Sequence, residues 1–148
     1  MITPYNDEYF MKQALLEAKK AYDLDEVPVG AVVVANGKII ARAHNLTEKL
    51  NDVTAHAEIQ AITAASEFLG AKYLTGCTLY VTLEPCIMCG GALYWSQIDK
   101  VVFATRDEKR GAGRFSERVY HPKTLVTNGL FAEEASLILK DFFVKKRV

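Results

Sequence analysis

The sequence predicts an α/β fold: one three-layer domain with a central, mixed, five-stranded sheet flanked by helices. Three observations predict it. Amphipathic stretches of helical period alternate with short apolar runs rich in β-branched residues. No linker, internal repeat or compositional break divides the chain. Its 148 residues, 50% hydrophobic and 24% charged, suit a single core.

The elements follow in order. Asn6 or Asp7 caps a first helix over about 7–22, where Phe10, Ala14, Ala18 and Tyr22 recur every fourth residue beside Met11 and Leu15. Pro28 and Gly30 punctuate the chain. Stretches 29–35 and 38–43 then read as two strands joined by Asn36-Gly37, a pair that tolerates positive φ at both positions. Residues 45–54 are polar and irregular. A second helix covers about 55–69, with Ile59, Ile62 and Ser66 on one face, and Gly70 ends it. The run 78–83 is apolar almost throughout, as a strand buried on both faces requires. Pro85 sits where helices accept proline, so a third helix covers about 86–96. A fourth strand spans 100–105, and a weak fifth lies near 124–126. The last helix, about 131–145, is expected to bury Leu137, Ile138 and Phe142, with Leu130 beside them.

Composition narrows the function classes. Eighteen basic residues balance eighteen acidic ones, which excludes a uniformly basic nucleic-acid binder. The balance hides two basic clusters. Residues 106–123 hold six basic and three acidic groups, and 139–148 carry Lys140, Lys145, Lys146 and Arg147 against Asp141. Each alone reads as a solvated face; together they form a candidate phosphate-facing surface. Met1–Glu8 lacks the basic start and apolar core of an export signal, and no run of eighteen apolar residues marks a membrane helix. The expected compartment is the cytoplasm. There, three cysteines point to thiols, metal ligands or core packing rather than a disulfide framework.

Two motifs carry chemistry. His56-Ala57-Glu58 opens the second helix, and Pro85-Cys86-Ile87-Met88-Cys89 opens the third. Cys86 and Cys89, three apart, project from nearly one helix face. Helix N-termini favour thiolates, and zinc favours mixed nitrogen and sulfur donors. Three protein ligands leave a tetrahedral ion an open corner, the mark of a catalytic rather than a structural zinc. Such an ion lowers the pKa of its water toward about 7. Glu58, leaning in from the first turn, can move that water's proton. A closed structural site would need Cys77, His44 or His121 as a fourth ligand. Cys77 reads instead as a small buried thiol before the third strand, and the two histidines as surface or hydrogen-bonding residues.

His-x-Glu with Pro-Cys-x-x-Cys resembles the signature of the zinc-dependent nucleobase deaminases, the cytidine deaminase superfamily. The resemblance covers nearly the whole chain, 1–148. Within the superfamily it is most similar to the tRNA-specific adenosine deaminases, through stretches 27–34, 42–45, 54–59, 78–89 and 100–103 and through His121-Pro122, Gly129 and Asp141-Phe142-Phe143. It implies a hydrolytic attack at C6 of adenine, with Glu58 as proton shuttle, ammonia as leaving group and inosine as product. It implies one zinc ion per subunit on His56, Cys86 and Cys89. Asn45 would hydrogen-bond the base, and Val27, Pro28 and Leu83 would line the pocket. It further implies a homodimer and a tRNA anticodon loop as partner; the lack of a long apolar run leads us to expect no membrane as partner. Arg110, Arg114, Lys145 and Lys146 are then candidate RNA contacts. Two alternatives stand beside this. One is a deaminase of free guanine, cytosine or nucleosides, toward which Tyr94-Trp95 points if Trp95 stacks on a base; the other role for these rings is packing of the third helix. The other alternative is a non-catalytic, zinc-stabilised binding module.

Overall fold

The computed structural model describes residues 5–116 and 118–146. Its sheet has five strands in the order β2-β1-β3-β4-β5: β1 is Gly30–Ala35, β2 Lys38–His44, β3 Cys77–Leu83, β4 Lys100–Thr105 and β5 Leu125–Asn128. β1 pairs antiparallel with both β2 and β3, whereas β3–β4 and β4–β5 are parallel. The predicted hairpin forms, with Asn36 at φ 52° and Gly37 at φ 73°. β5 is longer than the sequence suggested, and its mostly exposed residues explain the weak signal.

Alternation along the strands divides the core into two layers. Ala31, Val33, Leu79, Val81, Val101 and Phe103 face one side. There they meet α2 (Ala57–Leu69) and α3 (Ile87–Ser96). Val32, Val34, Tyr80, Val102 and Ala104 face the other, against α1 (Asp7–Asp23) and α4 (Ala132–Lys146). The expected three-layer α/β domain is what forms.

Details within the helices differ from the sequence reading. α1 is capped by Asn6, whose side chain accepts the Tyr9 N–H, and its buried stripe includes Glu17 while Tyr22 is only half-buried. α2 starts at Ala57, and its buried residues are Ala57, Glu58, Ala61 and Ala65. Ile59 and Ile62 are half-buried instead, because the close face of this helix needs small side chains to reach the sheet. In α4, Ala135 and Phe142 are buried but Leu137 is 57% exposed and Ile138 half-buried. Of the candidate RNA contacts, Lys145 and Lys146 lie at the end of this helix, while Arg147 of the same basic cluster falls outside the described residues, as does Glu117.

Candidate metal centre

Two helix starts meet at one end of the sheet. His56 is the N-cap of α2 and Cys86 the N-cap of α3, both with extended backbone; Cys89 follows one turn into α3. Neither cap residue uses its side chain to bond its own helix, so both side chains are available to each other. His56 Nδ1 lies 3.6 Å from Cys86 Sγ and 3.5 Å from Cys89 Sγ. The three donor atoms lie within 4.8 Å of one another. A tetrahedral zinc ion with Zn–S near 2.3 Å and Zn–N near 2.05 Å holds its sulfur and nitrogen ligands about 3.6 Å apart. The spacing of the donor set therefore fits zinc.

The electrostatics suit the same group. The hydrogen bond from Cys89, aided by His56, pulls the Cys86 thiol down to about 4 despite burial. Cys86 in turn holds the His56 imidazole above its ordinary value. The Cys89 thiol is pushed up by its hydrogen bond to Cys86 and by burial. Glu58, 4% exposed in the first turn of α2, has its carboxyl pushed up to about 7 by burial. One thiolate and a carboxyl poised near neutrality thus sit side by side.

The three other groups considered as a fourth ligand are engaged elsewhere. Cys77 is buried at the start of β3. His44 Nδ1 pairs with Glu17 at 3.0 Å. His121 Nδ1 accepts the Lys123 N–H, and its ring meets Tyr94 at 5.6 Å. Among the described residues, only His56, Cys86 and Cys89 form a group able to hold an ion.

The candidate pocket residues come from two loops and a strand end. Asn45 is buried; its Nδ2 donates to the Val27 carbonyl at 3.4 Å and its Oδ1 accepts the Thr47 N–H. Pro28 is buried, while Val27 and Leu83 are half-buried. Tyr94 is half-buried, but Trp95 is 76% exposed and touches Tyr94 edge-on. Packing of the core is therefore not what Trp95 does. Arg110 and Arg114 are exposed on the segment after β4, where Arg114 Nη1 donates to the Glu108 carbonyl. Lys145 pairs with Asp141 and Lys146 with Asp25.

Three polar side chains that the sequence reading gave no role, two of them buried and Gln60 half-buried, hold this end together. Glu26, 1% exposed, accepts the N–H groups of Glu48 and Lys49. Gln60 donates to the carbonyls of His44 and Ala55, tying the Asn45 loop to the residue before His56. Glu84 accepts from Asp107 and Gly113. The one signal for Glu84 was a charge directly after an otherwise apolar strand.

Comparison with known proteins places this geometry. Residues 4–105 match the family described as the cytidine and deoxycytidylate deaminase zinc-binding region. A tRNA-specific adenosine deaminase of Aquifex aeolicus is 50% identical over 144 residues, 95% of each chain. A structure from a study of A-to-I editing by tRNA:A34 deaminases superposes with a TM-score of 0.83 at 46% identity, covering 88% of this chain and 99% of that one. A guanine deaminase of Bacillus subtilis is more distant, with a TM-score of 0.68 and 38% identity over 76% of this chain and 71% of its own. With half the residues identical over 95% of such a relative, the chain belongs to the cytidine and deoxycytidylate deaminase zinc-binding family, on the branch of the tRNA-specific adenosine deaminases.

Proposed function

We propose that this chain is a zinc-dependent hydrolytic deaminase that converts adenosine to inosine at the wobble position of a tRNA anticodon and releases ammonia. The observation that carries the reading is the buried Glu58 carboxyl beside one nitrogen and two sulfur donors at zinc spacing. The 50% identity to a tRNA-specific adenosine deaminase supports the choice of substrate.

His56, Cys86 and Cys89 would hold one ion per subunit. When bound, zinc supplies the Lewis acidity that makes water nucleophilic near neutral pH. Glu58 is the proton carrier. A carboxyl near 7 is part protonated and part ionised at neutral pH, so it can take a proton and give it back. It accepts one from water, delivers it to the ring nitrogen, and assists the exocyclic amine as it leaves; the water oxygen stays on C6. Asn45 hydrogen-bonds the base, and Val27, Pro28 and Leu83 wall the pocket. Arg110, Arg114, Lys145 and Lys146 meet phosphates. The reading includes a domain running through 1–148, a homodimer, and the cytoplasm as the place of work.

A second reading, deamination of free guanine, draws on the exposed indole of Trp95 and on the guanine deaminase neighbour. One assay separates the two. Zinc-loaded protein is offered an anticodon stem-loop, adenosine, guanine and cytosine side by side, and ammonia is measured. We expect release, with inosine formed, from the stem-loop alone. Release from guanine and none from the stem-loop overturns the proposal.

A further inference from the structure

The segment after β4 is held by one buried carboxylate. Glu84, 7% exposed, directly follows β3 and directly precedes Pro85-Cys86. Its two oxygens accept the N–H groups of Asp107 at 3.0 Å and Gly113 at 3.1 Å. Its own N–H donates to the Thr105 carbonyl at 2.8 Å. The neighbouring Pro85 carbonyl accepts the Ala112 N–H at 2.8 Å, and Cys86 forms an antiparallel bridge with Gly111. The segment is also braced internally: the Asp107 carboxylate accepts the N–H groups of Lys109 and Arg110.

Two glycines make this approach possible. A Cβ on Gly111 would lie 2.3 Å from Glu84 Oε1 and 2.7 Å from the Asp107 carbonyl. One on Gly113 would lie 2.8 Å from Glu84 Oε2. Among the described residues, Glu84 has no cation as an ion-pair partner; its hydrogen bonds go to backbone N–H groups. A carboxylate with two accepting oxygens fixes the direction of both donors at once. The pose of the segment is therefore set before any ligand arrives.

We infer that Glu84 is a positioning residue for substrate: it sets the pose of residues 106–114, and so the reach of Arg110 and Arg114, from the short connection between β3 and α3 that also carries Cys86. The inference rests on the RNA reading above. A preset segment spends no binding energy on its own ordering, so its loss weakens binding more than chemistry.

The test uses the full-length, zinc-loaded chain with Glu84→Gln. The glutamine keeps the shape but turns an NH2 group against one of the two N–H donors. KM for the anticodon stem-loop is expected to rise about tenfold, while kcat per bound zinc stays within about twofold. Gly111→Ala, which crowds the carboxylate from the other side, should give the same split. A fall in kcat per zinc with KM unchanged overturns the inference, because Glu84 then acts on the cysteine segment; so does no change in either. Amide exchange supplies a readout free of substrate. Glu84→Gln must speed exchange at Asp107 and Gly113 and leave α3 as it was, or the inference falls. Wild-type protein inactive on the stem-loop would sink the RNA reading, and the exchange result would still decide the role of Glu84.

Discussion

Glu58 shows how two opposing fields act on one side chain. The N-terminal turn of a helix favours a carboxylate, whereas 4% exposure disfavours any charge. Burial wins, and the carboxyl is pushed up to about 7. A purely structural metal site has no use for such a group. Glu58→Ala should therefore cut turnover by about 10³-fold or more while zinc content, measured by elemental analysis, stays at the wild-type level. Loss of zinc together with the fold would instead favour a non-catalytic, zinc-stabilised module. His56, Glu58, Cys86 and Cys89 were legible because each motif is a few residues long and each opens a helix. Gln60 and Glu84 were not. Their partners lie 16 and 23 residues away, and only the folded chain brings them within reach.

The elements follow from local rules, and their seating depends on side-chain size. α1 lies so close to β1 that a Cβ on Gly30 would come within 2.1 Å of the Ala14 carbonyl oxygen and 2.3 Å of the Ala18 nitrogen. Both neighbours are backbone and cannot step aside. Gly30→Ala should cost about 3 kcal/mol or more in urea unfolding, at the upper end of overpacking penalties. A cost below about 1 kcal/mol would show that α1 has slack against the sheet. The same closeness explains the alanines of α2. Periodicity marks an apolar face, but with isoleucines on one arc and alanines on the next it does not say which turns inward. In α4 it likewise pointed to Leu137, which the structure leaves exposed.

Across the whole molecule, the antiparallel pairing of β1 with β3 brings the start of β1 beside the end of β3, where Ala31 pairs with Val81. The Asn45 loop, the two helix starts that carry His56, Cys86 and Cys89, and the segment after β4 gather at that end. In the proposed RNA surface the two basic clusters differ in how their charges are paired. Arg110 and Arg114 face no carboxylate in the described ion pairs, whereas Lys145 and Lys146 are each matched by an aspartate. Neutralising the two arginines should lower the salt slope of stem-loop binding by roughly 0.7 to 0.9 for each phosphate left without its cation. Neutralising the two lysines should lower it by less. Equal effects would mean that the lysine–aspartate pairs open on binding, and no effect from either pair would remove both clusters from the RNA surface.

By itself, the sequence determined the order and type of the elements, the hairpin, and the four residues to which we assign metal and proton chemistry. Those features are encoded within one turn of helix or one stretch of strand, where spacing and residue type suffice. The tertiary structure decided what depends on distant partners: the 3.5–3.6 Å convergence of His56 with two cysteines some thirty residues on, the inward face of α2, and the carboxylates that hold the loops. Long-range pairing is set by how close two backbones can pack, and that is a property of facing surfaces rather than of either segment alone.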